Sequence, residues 1–401
     1  MAIVLKRCVF YVSGFDPKGS GHYHALYRDE CARQSLLDGQ CIDVGARHRQ
    51  PSGNAAWAIH AKYGDQQVQI HYEFMRWDDI VRRHWPKTTL ALWASVVATT
   101  IFNVRHGTWW KMFRLSWPPA VALMAPFLLV CAMVLGIPLM AFSSAWCVIK
   151  ALGNLGLGVA SGYAVAYGLW VVAQWLQARY SMYWMMRSYA FTAKQAKSEL
   201  PDLEDRLDEL ARALVKRVEA QQDDEVLVVG HSSGSIMAVS IVARALQAAP
   251  HLLQQGRPKV ALLTLAQSIP LLGLLPMANK FRAEMQTLAD ADGLTWVDFS
   301  APSDGCCFAL TDPFEACAIV GSRQRGVDFK ILNPRFANLF DATTYASLKR
   351  NKLLLHFQYL RAAQIPGDYN YFAITAGPVS LDERFFNAES VNNYKGLRPF
   401  G

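Results

Sequence analysis

Two stretches without a charged side chain, residues 115–149 and 151–178, constrain this 401-residue chain more than any other feature, and only Lys150 separates them. They hold 35 and 28 residues, and a helix needs about 20 apolar residues to cross a bilayer core of roughly 30 Å. Each stretch is long enough to span. With 52% apolar and only 18% charged residues overall, the chain is not disordered. Three blocks follow: residues 1–85, globular; residues 86–185, a hydrophobic insert with an interfacial segment 88–104 and helices at about 118–149 and 152–177; and residues 186–401, globular again.

The net charge of +8 would suit a nucleic-acid partner, but its placement argues for a membrane. Arg76, Arg82, Arg83, Lys87, Arg105, Lys111 and Arg114 precede the first apolar stretch against two acids, and Arg179, Arg187, Lys194 and Lys197 follow the second before Glu199 appears. Basic flanks of this kind set membrane orientation. Trp109, Trp110 and Trp117 open the first stretch and Trp175, Tyr180, Tyr183 and Trp184 close the second, which puts both aromatic groups at one interface. The expected topology is a two-span hairpin with both globular blocks on the cytoplasmic side and no nucleic acid bound. The uncharged stretch 88–104 is short for a span and belongs to the interface or to a re-entrant segment. Small residues at Gly158 and Gly162, with Ala164 and Gly168 beyond, predict close packing of the second helix on the first or on another copy of the chain, a homo-oligomer through the Gly158/Gly162 face.

The N-terminus lacks a long apolar region with a cleavage site, so a cleaved secretory signal is not expected. Eight cysteines without framework spacing or a CxxC motif predict reduced thiols, with no metal and no cofactor. In the globular blocks, apolar alternation marks strands at residues 6–12 and 68–74, and Gly64-Asp65 closes a hairpin with residues 57–63. Pro201-Asp202 starts a helix whose Leu203, Leu207, Leu210, Leu214 and Val218 share one face.

The string Glu225-Val-Leu-Val-Val-Gly230-His231-Ser232-Ser233-Gly234 is the chemically informative one. An unbroken apolar strand, a G-x-S-x-G turn and an apolar helix follow one another, so the serine is pushed out above the sheet at a helix N-terminus, where developing negative charge is favoured. This arrangement resembles the nucleophile elbow of the α/β-hydrolase superfamily, of the serine esterase and lipase type. The resemblance implies an α/β fold, a mostly parallel sheet with helices on both faces, here interrupted by the transmembrane hairpin. It also implies a catalytic triad in the chain order serine, acid, histidine. Two histidines follow Ser232: His251, near the end of the elbow's own helix, and His356, which is the expected base. The acid is expected just after a strand, and Asp304 follows residues 294–300 in that way; Asp298, within the strand, and Asp312, before a proline, are the alternatives. The resemblance places the oxyanion hole at the Ser233 amide and at the amide of Phe15, in the turn Ser13-Gly14-Phe15, although Asp16-Pro17-Lys18-Gly19 could equally be a plain β-turn. The strand at residues 6–12 would then correspond to the third of the full fold, with the first two absent.

The expected function is a membrane-anchored serine hydrolase cleaving an ester or thioester, of a lipid by location, through an acyl-enzyme on Ser232. Two alternatives use the same residues differently: a non-catalytic membrane scaffold retaining the fold, and an acyltransferase.

Overall fold

The computed structural model describes residues 3–319 and 326–391. Among the described residues the strands are β1 Lys6–Val12, β2 Cys41–Val44, β3 His48–Arg49, β4 Ala55–Tyr63, β5 Gln66–Phe74, β6 Glu225–His231, β7 Lys259–Leu265, β8 Thr295–Phe299 and β9 Asp328–Leu332. They form one sheet in the order β2-β4-β5-β1-β6-β7-β8-β9, with β3 beside β4. Every neighbouring pair from β5 to β9 is parallel, whereas β4 is antiparallel to β5 and both β2 and β3 are antiparallel to β4. The chain is therefore α/β with a mostly parallel sheet.

Burial on both faces explains why β1 and β6 read as nearly continuous apolar runs. Cys8, Phe10 and Val12 of β1 and Val226 and Val228 of β6 enter one core, beneath helices Pro201–Glu219, Gly234–Ala248 and Asn279–Ala289. Val9 and Tyr11 of β1 and Leu227 and Val229 of β6 enter the other, with Tyr23 and Tyr27 of helix Ser20–Asp38. The β4–β5 hairpin turns at Gly64-Asp65, with Gly64 at φ 60°. Helix Pro201–Glu219 buries all five of its apolar stripe residues. No strand precedes β1 among the described residues, and the sheet edge beyond β5 is filled by β4 and β2, which lie between β1 and β5 in the chain.

Between β5 and β6 lies the insert, with helices Thr89–Arg105, Thr108–Leu115, Trp117–Leu152, Leu155–Arg179 and Met182–Ala196. The boundary expected at residue 185 falls inside the last of these. Helices Trp117–Leu152 and Leu155–Arg179 are long and apolar enough to cross a membrane. They turn at Gly153, which is left-handed at φ 62°, and Asn154, which caps the second helix by accepting the Leu157 amide.

The first of these helices divides its work. At 36 residues it is about 54 Å long, nearly twice a bilayer core. Its first half buries Pro119, Ala120, Pro126, Leu129 and Val130, whereas no residue of Ile137–Leu152 is buried. A π-helical turn, Ala132–Gly136, separates the two halves. The first half packs into a helical cap: Val130 meets Leu92 and Val96 of helix Thr89–Arg105 and Met186 of Met182–Ala196. The stretch 88–104 is thus a cap helix, one that leaves Leu90, Ile101 and Val104 exposed.

The small-residue face of the second helix is used within the chain. A methyl group on Gly158 would stand 2.9 Å from the Ala145 carbonyl oxygen, and one on Gly162 would stand 2.9 Å from that of Ala141. Ser144 and Ser161 hydroxyls hydrogen-bond across the same contact at 2.6 Å. Of the two packings expected for the Gly158/Gly162 face, on the first helix or in a homo-oligomer, the structure shows the one on the first helix. The aromatic pattern needs a correction. Trp110, Trp117, Trp175 and Tyr180 are exposed, but Trp184 donates its indole N–H to the Phe15 carbonyl at 2.7 Å and Tyr183 packs in the cap.

The contact is testable with a Ser144→Cys/Ser161→Cys variant. Mild oxidation should give a monomer with an internal crosslink, seen as a faster band on non-reducing gels. A crosslinked dimer as the main product would place this face between copies.

Candidate active site

The turn after β6 is tight enough to dictate its residues. Ser232 sits at φ 59°, a left-handed conformation that costs a non-glycine residue roughly 1–3 kcal/mol. Its amide donates to the Leu265 carbonyl at 2.8 Å and the Ser235 amide returns to its own carbonyl at 3.0 Å, so the strained residue is held from both sides. Glycine is required around it by close approach. A Cβ on Gly230 would lie 2.7 Å from the Gly234 carbonyl oxygen, and one on Gly234 would lie 2.3 Å from that of Val12. A Cβ on Gly14, in the neighbouring turn after β1, would meet the Ser232 Cβ at 3.0 Å.

Ser232, His356 and Asp304, far apart in the chain, meet at the C-terminal edge of the sheet. The Ser232 hydroxyl lies 2.8 Å from His356 Nε2, and His356 Nδ1 lies 2.8 Å from Asp304 Oδ2. His356 ends helix Lys352–His356, and Asp304 lies in the loop after β8. Burial pushes the Asp304 carboxyl up, but the His356 imidazole and the donors on the loop outweigh it and hold the group below the usual carboxylate range. Among those donors, the Cys306 amide gives to Oδ1 at 3.0 Å. Ser232 is 7% exposed and His356 1%, so both side chains are buried.

The alternative acids have other duties. Asp298 accepts the Thr264 hydroxyl at 2.7 Å and the Ser300 hydroxyl at 2.8 Å, a network that ties β7 to β8. No cation pairs with it among the described residues, and burial pushes its carboxyl up to about 7. Asp312 caps the short helix Pro313–Ala316 by accepting the Phe314 amide. His251 lies at the far end of the elbow helix and pairs with Glu219.

At the expected oxyanion hole the structure departs from the simple picture. The Phe15 amide lies in the turn whose Gly14 packs on Ser232, but it donates to the Ser233 hydroxyl at 2.7 Å, so it is engaged and not free. The nearest acceptor to an amide delivered by this turn is the side chain after the serine, and here that side chain carries an oxygen. The turn itself is pinned by two indoles: Trp77 donates to the Ser13 carbonyl at 2.9 Å and Trp184 to that of Phe15 at 2.7 Å. The Asp16 side chain also orders it, accepting the Lys18 amide and the Tyr23 hydroxyl.

His231 does more than occupy an elbow position. Its Nε2 hydrogen-bonds the His356 carbonyl at 2.9 Å, which fixes the backbone bearing the imidazole. A carbonyl only accepts, so Nε2 carries the proton; burial, then the neighbouring His356, lowers this histidine to about 3 and keeps it neutral. Nothing in the sequence marks that role, because the partner is a backbone atom 125 residues away.

Cys306 and Cys307 sit beside the Asp304–His356 pair, half-buried and buried, and all eight cysteines of the chain are free. The ligand atoms of Asp304, Cys306 and His356 lie within 4.8 Å of one another, yet the carboxylate and imidazole are already committed to each other. A narrow cavity of about 50 Å³ opens from Ser232 and His356 between Leu271, Phe308 and residues of the cap. No protein-family model, curated protein or solved structure matches this chain.

The state of Asp298 gives a pH test. A carboxyl raised from 3.8 to about 7 on folding keeps its proton longer in the native state, so its contribution to stability falls between those values and is flat outside them. The amide introduced by Asp298→Asn does not ionise. The melting temperature of Asp298→Asn relative to wild type should therefore climb as pH rises from 4 to 7 and then level off. A constant difference across that range would mean that the carboxyl is ionised in the folded protein.

Proposed function

We propose that this protein is a membrane-anchored serine hydrolase of the α/β-hydrolase type that cleaves an ester or thioester of a lipid. One observation carries the reading: a serine in a left-handed turn over a parallel sheet, 2.8 Å from an imidazole whose other nitrogen is 2.8 Å from a buried carboxylate. Serine, acid and histidine follow β6, β8 and β9 in that order, which is the superfamily's chain order.

The chemistry follows from the positions. A serine hydroxyl is a weak nucleophile at neutral pH, so His356 Nε2 takes its proton as Oγ bonds to the substrate carbonyl carbon. Asp304 holds Nδ1–H and stabilises the imidazolium that forms. Negative charge on the carbonyl oxygen meets the Ser233 amide at the N-terminus of helix Gly234–Ala248. The Phe15 amide becomes the second donor when the Ser233 hydroxyl rotates away from it. His356 then protonates the leaving alcohol or thiol, giving an acyl-enzyme. Water, deprotonated by the same nitrogen, releases the acid and returns the proton to Ser232. Anchoring is supported by the hairpin of apolar helices, whose outer residues Leu139, Phe142, Tyr163 and Val172 are exposed.

A fluorophosphonate probe on membrane-bound protein should label wild type and not Ser232→Ala. Against an activated ester, Ser232→Ala and His356→Ala should lose about 10⁴–10⁶-fold in kcat, and Asp304→Asn about 10⁴-fold. Folded, membrane-bound wild type that is not labelled would favour a non-catalytic binding module.

Membrane crossing is a separate test. With Cys147 replaced by alanine, Cys41 on the exposed sheet edge and a Gly153→Cys reporter at the hairpin turn should react with an impermeant maleimide from opposite sides of sealed vesicles. Reaction of both from one side would mean a hairpin that dips in without crossing.

A further inference from the structure

The cavity at Ser232 has two kinds of wall. Leu271 and Phe308 belong to the α/β scaffold, whereas Pro119, Ala122 and Leu123 belong to the first half of the long helix Trp117–Leu152. We infer that this slot is the acyl-chain site, that Ala122 and Leu123 set the chain it admits, and that the substrate is a long-chain acyl ester or thioester taken sideways from the bilayer. The inference rests on the hydrolase reading.

Beside Ser232 and His356 most of the lining is apolar, with Ser188, Ser268 and Cys306 as the further polar groups, which suits an acyl group: one carbonyl, then hydrocarbon. About 50 Å³ is far below the roughly 300 Å³ at which ligand pockets begin, so the slot as it stands takes only the first few carbons. The remainder of a long chain must pass a wall, and one wall is a single helix thick. Behind Ala122 and Leu123, on the outer side of the same helix, Trp117, Val121, Leu128 and Leu135 are exposed at spacings of four and seven residues. Those intervals form one stripe along a helix, and the stripe runs on past the π-turn into the unburied half, where Leu139 is exposed. The catalytic cavity and the lipid-facing stripe are thus two sides of one helix, about 10 Å apart. An acyl chain reaches Ser232 from the bilayer by displacing that helix, without crossing water. The adjoining wall is coupled to the chemistry: Trp184, which lines the cavity from helix Met182–Ala196, holds the Phe15 carbonyl.

The experiment compares acetate, decanoate and palmitate esters of one chromogenic alcohol on proteoliposomes, with a small fluorophosphonate reporting whether Ser232 is reactive in each variant. Ala122→Phe narrows the slot and should lower the ratio of palmitate to acetate kcat/KM by about tenfold or more. Leu123→Ala widens it and should raise the same ratio. If the small probe labels wild type and both variants but neither ratio moves, the acyl slot is elsewhere and the inference is overturned. If Ala122→Phe fails to fold, Leu123→Ala decides alone by the same ratio. Wild type that the probe does not label defeats the hydrolase reading itself, a distinct outcome.

Discussion

The parallel pairing of β1 with β6 is the contact on which the rest depends. Arg7 to Val12 lie alongside Glu225 to Gly230, joining segments more than 200 residues apart. At one end of this pair the Arg7 guanidinium and the Glu225 carboxylate form a fully buried ion pair, 2.5 Å apart. Both partners are also satisfied by the C-terminal segment: Arg7 donates to the Gly377 and Val379 carbonyls, and Glu225 accepts the Leu381 amide. Removing one member of such a pair typically costs about 3–5 kcal/mol, because the other is left buried and uncompensated. At the opposite end the same register brings the turn of Gly14 and Phe15 against Ser232. Since β1 also pairs with β5, the strands that bracket the insert, β5 and β6, lie only two strand spacings apart in one sheet, about 10 Å, and the insert interrupts a single α/β unit.

That register converts a strained turn into a stable one. The left-handed Ser232 persists because Gly230 and Gly234 let backbone approach closer than any side chain would allow, and Gly14 packs tightly on the Ser232 Cβ. Packing of this kind fixes where the Ser232 hydroxyl points, toward His356 Nε2. The cap above it supplies further walls of the cavity at Ser232, through Pro119, Ala122, Leu123 and Trp184.

Local signals were legible in the sequence and through-space ones were not. The Glu225 to Gly234 string announces a buried strand and a tight turn because both faces of β6 are covered and the turn tolerates only glycine at its ends. The hairpin at Gly64-Asp65 and the stripe of helix Pro201–Glu219 are equally local. His356 and Asp304 were reachable only through the chain order of a resembling family, since nothing in their own surroundings distinguishes them from other buried polar residues. The Ser233 hydroxyl on the Phe15 amide and the His231 nitrogen on the His356 carbonyl escaped, because each joins a side chain to a distant backbone atom. The division of helix Trp117–Leu152 escaped for another reason: hydropathy reports whether a residue is apolar, and a cap core and a lipid tail are equally apolar surroundings.

The position of the insert in the topology has a consequence for how an anchor and a site relate. β5 runs parallel to β1 and β6, so Phe74 at its end emerges on the same edge of the sheet as Ser232, and Met75 there donates to the Tyr11 carbonyl. Clefts form beyond the carboxyl ends of parallel strands. An insert placed after β5 therefore begins on the edge that carries Ser232, and its helices Trp117–Leu152 and Met182–Ala196 line the cavity at that serine. The same hydrophobic hairpin placed after helix Pro201–Glu219 would have emerged near the start of β6, on the edge opposite Ser232. Here the apolar hairpin and the roof of the cavity are one segment. Half of one helix closes the cavity and the other half stands free, so a force that repositions the free half acts on the wall of the site through a continuous helical rod.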